Sequence, residues 1–178
     1  LTTVILIFLI FLLVLASLSL VVTFFIAATM FSGAPWVATR ATTVRAMCDL
    51  AKLKPDDRVL DLGCGDGSIL ITAAREYGAF GIGVELNPLL AYYARFKMRR
   101  AGVQDRVHII QGNMYDVELP DVDCVMLYLL PKATARIERR LKKRYLHLRV
   151  ISHGFQLQET LEHSHNTQGK VTVRRYEW

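Results

Sequence analysis

The chain has 178 residues, 52% of them hydrophobic, with 22 Lys and Arg set against 16 Asp and Glu for a net charge of +6. This length holds one domain and a short additional segment. Three cysteines, Cys48, Cys64 and Cys124, are odd in number and scattered without C-x-x-C spacing, which argues against a disulfide scaffold or a zinc cluster and for a reducing compartment. No Lys, Arg, Asp, Glu or His precedes Arg40, and Val4 to Phe31 is apolar except for Ser17, Ser19, Thr23 and Thr29. A bilayer core takes about 20 such residues, so this segment is expected to span a membrane as one helix. The competing expectation is a cleaved signal peptide, which would have a basic n-region and an apolar stretch of about 7–15 residues. Arg40, Arg45, Lys52 and Lys54 come directly after the apolar run. The positive-inside bias then puts the remainder of the chain in the cytoplasm, or in the matrix of a mitochondrion.

The expected organisation is an anchor at 1–31, a connecting loop and leading helix at 32–57, and a globular domain at 58–178. A helix is predicted from Thr42 to Leu53, ended by the turn signal Lys54-Pro55-Asp56-Asp57. Strands and helices then alternate: a strand over 58–62, a helix over 68–77, and a strand over 80–85. Asn87-Pro88 caps a helix that runs to about Ala101, followed by a strand over 107–111, a strand over 123–130, a basic helix over 131–144 and a strand over 146–152. This alternation predicts an α/β domain with a doubly wound, mostly parallel sheet. Only 170–178 remains for an antiparallel closing strand, so six strands and a shortened C-terminal region are expected.

The most informative stretch is Asp61-Leu-Gly-Cys-Gly-Asp-Gly67, a strand end that runs into a Gly-rich turn and then a helix. A dinucleotide fingerprint needs G-x-G-x-x-G, and counting from Gly63 puts Ser68 where the third glycine belongs. The acids decide against a pyrophosphate as well. Asp61 and Asp66 would crowd a phosphate but suit the ammonium of a ligand such as S-adenosylmethionine. Gly63, Gly65 and Gly67 leave backbone space for that ligand. Glu85, at the end of the second strand, is placed to accept hydrogen bonds from ribose hydroxyls. Asn113, and after it Asp116, are candidates for contact with the adenine amino group, and Met114 for packing on its ring.

Asp61-Leu-Gly-Cys-Gly-Asp-Gly67 and Gly83-Val-Glu-Leu-Asn-Pro88 resemble the first two motifs of class I, seven-β-strand methyltransferases. With the apolar segment and Gly33-Ala-Pro-Trp36 ahead of them, the layout resembles the membrane-anchored lysine methyltransferases that act on the adenine nucleotide translocase and the ATP synthase c-subunit, and their prokaryotic relatives. The resemblance implies a Rossmann-like fold, S-adenosyl-L-methionine as cofactor and N-methylation of a lysine in a membrane-associated protein. A small-molecule, lipid or quinone-precursor acceptor is the enzymatic alternative, and a silent membrane-tethered binding module the non-enzymatic one. Ala38 stands where relatives carry Pro after the Trp-x pair.

Tyr128, in Tyr128-Leu-Leu-Pro131, is the candidate wall of an acceptor channel, its ring face favouring a lysine side chain. His153, at the end of the fifth strand, is the candidate for contact with the acceptor. Asp123 lies too far back along its strand to reach the methyl group and is expected to brace the sheet. Lys132, Arg136, Arg139, Arg140, Lys142, Lys143 and Arg144 face one acid, Glu138. Such a run is either a solvated helix face or a contact for anionic lipid. It lacks interleaved aromatics, so no nucleic acid partner is expected. His163 and His165 have no Cys or carboxylate at a recurring spacing, so no metal site is expected.

Overall fold

The computed structural model describes residues 2–31, 37–168 and 171–178. Gly33-Ala-Pro-Trp36 lies outside them. The chain divides into two compact units, Leu1–Pro35 and Trp36–Trp178. The first contains one helix, α1, Thr2–Phe31. Within it Thr3–Thr23 is long and apolar enough to cross a membrane, and none of that stretch is buried against protein.

The second unit runs α2 (Ala41–Ala51), β1 (Arg58–Leu62), α3 (Ser68–Tyr77), β2 (Phe80–Glu85), α4 (Pro88–Arg100), β3 (Val107–Gln111), β4 (Cys124–Leu127), α5 (Pro131–Arg144), β5 (Arg149–His153), β6 (Glu162–Gln168) and β7 (Val171–Glu177). The strands form one sheet in the order β3-β2-β1-β4-β5-β7-β6. Pairing is parallel from β3 through β5 and antiparallel where β7 meets β5 and β6. This is the doubly wound, mostly parallel sheet expected from the alternation of elements.

Two expectations need correction. The sheet has seven strands rather than six, because β6 and β7 form a complete antiparallel hairpin. Glu-His-Ser-His-Asn-Thr-Gln has no apolar alternation, and an outermost strand with no sheet beyond it needs none. The shortening falls instead in residues 154–161, which join β5 to β6 without a helix. β4 also ends at Leu127 rather than Leu130: its pairing with β5 stops at Leu127↔Ser152, and Tyr128–Leu130 leaves the sheet towards the Gly-rich turn.

α2 is fixed by both charge and packing. Val44, Met47, Cys48 and Ala51 are buried in the core beside Val59, Leu70 and Ile151. Its last carbonyls, which no helical N–H reaches, accept from arginines on two strands. Arg149 donates to the oxygens of Ala51 (2.9 Å) and Lys52 (3.2 Å), and Arg175 to that of Leu50 (2.9 Å). Arg149 is held in turn by Asp57 at 2.8 Å.

Gly83 marks the tightest contact of the sheet with the layer above it. A Cβ there would stand 2.7 Å from Cys64 Sγ, 2.8 Å from Ile109 Cδ1 and 2.9 Å from Leu70 Cδ1. Three crowded directions leave no single side chain that can relieve the strain by moving. Gly83→Ala should therefore destabilise the domain by about 1–3 kcal/mol, measured by chemical denaturation, whereas Gly102→Ala should not act by crowding, since nothing stands within 4 Å of its Cβ position.

Candidate active site

The turn after β1 carries three glycines at positive φ, Gly63 (+86°), Gly65 (+55°) and Gly67 (+74°), a conformation other residues adopt at a cost. It is tied down on both sides. Gly63 and Cys64 both donate to the carbonyl of Val84, at 2.8 and 3.0 Å. Glu85 is buried, and its two carboxylate oxygens accept from Gly65 N (2.9 Å) and Asn87 N (2.8 Å). A carboxylate offers about four lone-pair positions, so Glu85 holds the two turns together and retains capacity for hydroxyl donors.

Asp61 is the site's electrostatic anomaly. It is 2% exposed, and its Oδ2 has no hydrogen-bond partner among the described residues. Burial, and behind it the charges of Glu85 and Asp66, pushes its carboxyl up to about 8. An unpaired buried acid is costly. It fits a ligand that brings a cation to this turn.

Asp66, which its place in the Gly-rich turn offers to the same ammonium, is engaged elsewhere. It accepts from Lys97 Nζ at 2.5 Å, from Ser68 Oγ at 2.9 Å and from Ser68 N at 3.2 Å. Asp66 therefore locks the turn to α3 and α4, and Lys97, a residue that sequence reasoning passed over, supplies the other half of that lock. Nothing in the spacing of Asp66 and Lys97, 31 positions apart, announces the pair.

The turn after β3 lies beside Glu85, whose carbonyl accepts from Gly112 N at 2.9 Å. Within it Asn113 and Asp116 bond each other, Nδ2 to Oδ2 at 2.7 Å, and Asn113 Oδ1 accepts from Tyr115 N at 3.1 Å. Met114 is buried. Arg140 of α5 supports this turn by donating to the carbonyls of Met114 (2.8 Å) and Val117.

Tyr128 and His153 meet at the ends of β4 and β5, their ring centroids 4.0 Å apart and their planes 43° apart. His153 is buried, its Nδ1 has no partner among the described residues, and burial lowers its pKa, which favours the neutral imidazole. The next residue along, Leu129, brings this end of β4 to the Gly turn: a Cβ on Gly63 would lie 3.2 Å from Leu129 Cδ2. Asp123, by contrast, accepts from Arg58 N at 2.8 Å. It braces neighbouring strands, as its position predicted.

The basic run of α5 separates into two sides. Arg140, Arg144 and Lys142 are committed to carbonyls of Met114, Leu119 and Glu159, while Lys132, Arg136, Arg139 and Lys143 form an exposed row. Glu138 is fully buried and accepts from Gln158 N (2.7 Å), Glu159 N (3.1 Å) and Thr160 Oγ1 (2.6 Å). The single acid in a charge run thus organises the chain that leaves β5 beside His153.

Residues 61–164, from Asp61 of the Gly turn into the hairpin, match the ANTKMT methyltransferase domain. The chain belongs to this family. It is 36% identical over 125 residues to a protein-lysine N-methyltransferase of Saccharolobus islandicus (strain REY15A), covering 69% of this chain and 78% of that protein. It is 31% identical to the Xenopus laevis lysine N-methyltransferase of the ATP synthase c-subunit over 61% of this chain, and spans 47% of that relative's length. A crystal structure of an RNA methyltransferase from Salinibacter ruber, in complex with S-adenosyl-L-homocysteine, superposes with a TM-score of 0.77 at 34% identity, over 79% of this chain and 93% of that one. As a member of the family the protein is an S-adenosylmethionine-dependent methyltransferase, and its buried, unpaired Asp61 and its glycine cradle fit that cofactor.

Asp61 also sets a pH dependence. Its folded pKa lies above the ordinary value of 3.8, so between these values the native state binds more protons than the unfolded chain. The contribution is present in full below the unfolded pKa and is lost as pH rises through about 8. Asp61→Asn removes this loss: its denaturation midpoint should fall less than the parent's between about pH 5 and pH 8.5, with the two proteins diverging most at the alkaline end.

Proposed function

We propose that this enzyme transfers the methyl group of S-adenosylmethionine to the side-chain amine of a lysine in a membrane-associated protein. The likeness to the archaeal protein-lysine methyltransferase, most of whose length the chain spans, carries this reading. The Tyr128–His153 pair supports it, because an aromatic face and a neutral imidazole suit a cationic side chain that must arrive and lose its proton. The bound cofactor supplies an electrophilic methyl on a sulfonium. With the cofactor bound, Tyr128 and His153 would orient the deprotonated amine towards that methyl, and transfer would leave the donor as a neutral thioether. Alignment and exclusion of water are the main demands of such a step.

In this reading Asp61 pairs with the ammonium of the cofactor's methionine part, and Gly63, Gly65 and Gly67 accommodate that part against the backbone. Glu85 accepts from the ribose hydroxyls. Asn113 and Asp116 flank the adenine amino group, either directly or by shaping the turn that does. Tyr128 and His153 face the acceptor. In the same reading α1 is a membrane anchor, and the catalytic domain, with α2 packed into its core, works on the cytoplasmic or matrix side. RNA enters as a second acceptor through the description of the Salinibacter relative, and the exposed row of Lys132, Arg136, Arg139 and Lys143 is the surface on which a polyanion would be met.

The test is transfer of label from methyl-tritiated S-adenosylmethionine to whole membranes, extracted lipid and total RNA. Label is expected in protein that yields methyllysine on acid hydrolysis; label confined to lipid or RNA would contradict the lysine assignment. Glu85→Gln, which keeps the shape but weakens the acceptor, should reduce donor affinity by about 1–3 kcal/mol in calorimetry. Carbonate extraction tests the anchor: the full chain should stay in the membrane pellet, and recovery of a soluble form lacking α1 would identify the segment as a cleaved signal.

A further inference from the structure

α4 packs with its small side inward. Ala91, Ala94 and Met98 are buried against the sheet, and a Cβ on Gly67 would stand 3.4 Å from that of Ala94. Its large apolar side chains point outward: Leu89 is 61% exposed, Tyr92 70%, Tyr93 47% and Phe96 46%. Positions 89, 92, 93 and 96 share one helix face, which Arg99 and Arg100, both exposed, extend through the last turn. A helix on the surface of a soluble domain shows the opposite arrangement. A contiguous outward row of this kind marks a surface that meets something apolar.

We propose that this face of α4 lies in the headgroup region of a lipid bilayer that contains anionic lipid. Composition favours a bilayer over a protein groove. Leu and Phe supply apolar depth, the two tyrosines present rings with a wet hydroxyl end, and the basic residues border the row. Lys97 Nζ lies 5.8 Å from the centre of the Tyr93 ring and the Arg100 guanidinium 5.9 Å from that of Phe96, so the charged heads sit at the margins of an apolar strip. Helices that lie in the interface plane carry this division of faces, and the arginines complement anionic headgroups.

Chain connectivity points the same way. α1, with its candidate span, ends at Phe31 and α2 begins at Ala41. The roughly nine residues between them reach at most about 30 Å. A chain that carries a candidate span, Thr3–Thr23, brings its own bilayer within the reach of such a linker. α4 follows Glu85 and Asn87, so a bilayer touching it runs past the rim of the cofactor turn. That last link rests on the proposed lysine acceptor in a membrane protein; the orientation of α4 does not.

The fold sets this surface against the other basic candidate. Strand order runs outward from β1 through β2 to β3 in one direction and from β4 to β5 in the other. Right-handed crossovers therefore put α3 and α4 on one face of the sheet and α5 on the opposite face. A flat bilayer that receives the α4 row does not receive the row of Lys132, Arg136, Arg139 and Lys143.

The three native cysteines are buried, so a nitroxide label can be directed to one introduced thiol. The full chain carrying Tyr92→Cys, and separately Arg139→Cys, is reconstituted into phosphatidylcholine vesicles with and without phosphatidylglycerol. Power-saturation spectroscopy then compares collisions with oxygen, which partitions into lipid, and with a water-soluble nickel chelate. The label at position 92 should show a several-fold higher oxygen-to-nickel ratio than the label at 139, and phosphatidylglycerol should increase it. Equal, aqueous behaviour at both positions overturns the proposal, as does lipid exposure at 139 alone. Immobilisation at 92 that grows with protein density without oxygen exposure overturns it in favour of a second copy of the chain. Retained donor binding verifies that each labelled protein is folded, and Leu89→Cys replaces Tyr92→Cys if that variant fails this check. Lipid exposure at 92 together with failure to methylate lysine would leave the bilayer contact standing and remove the lysine acceptor alone.

Discussion

Two buried carboxylates at the ends of neighbouring strands organise this molecule, and they are in opposite states. Glu85 is satisfied by the backbone of two turns, through Gly65 N and Asn87 N, and so joins the glycine turn of β1 to the start of α4. Asp61 has an oxygen with no partner among the described residues and a carboxyl pushed up to about 8. Burial of an unpaired acid opposes folding, and the surrounding core must offset it. Leu60, Leu62, Leu70 and Met126 are all fully buried around these strand ends. The strain is concentrated where a cationic ligand relieves it, which is how a binding site differs from a well-packed sheet end.

The same turn constrains the surface of the molecule. Gly67 brings α4 close enough that Ala94 is its neighbour, and Asp66 pins Lys97 of that helix. With alanines facing inward, the bulk of α4 has to face outward. On the other side of the sheet α5 answers a different demand: Glu138 gathers residues 158–160, while Arg140 and Arg144 hold the turn between β3 and β4. Its charges are therefore in large part internal fasteners, and the remaining row is narrower than the composition of the helix suggests.

Much of this was legible in the sequence, for reasons that can be stated residue by residue. β1, β2 and β3 are short apolar runs bounded by turn residues, and Asn87-Pro88 fixes the start of α4, so these elements fall where periodicity and caps put them. The glycine turn was legible because Gly63, Gly65 and Gly67 follow an apolar strand at a spacing that fails the dinucleotide pattern, and because Asp61 and Asp66 argue against a phosphate. β6 was not, because an outermost strand with polar side chains on both faces carries no hydrophobic period. The roles of Lys97, Arg140 and Glu138 were hidden because each depends on a partner 20 or more positions away. Charge runs reveal composition, not which member turns inward.

The most direct measurement is calorimetry of S-adenosylmethionine binding at about pH 7 in two buffers of different ionisation enthalpy. If a protonated Asp61 must ionise to receive the cofactor's ammonium, the parent should release about one proton per site on binding. Asp61→Asn should release markedly less and bind more weakly. Equal affinity of the two proteins, with no proton released by the parent, would contradict the assignment of Asp61 and with it the electrostatic logic of the site.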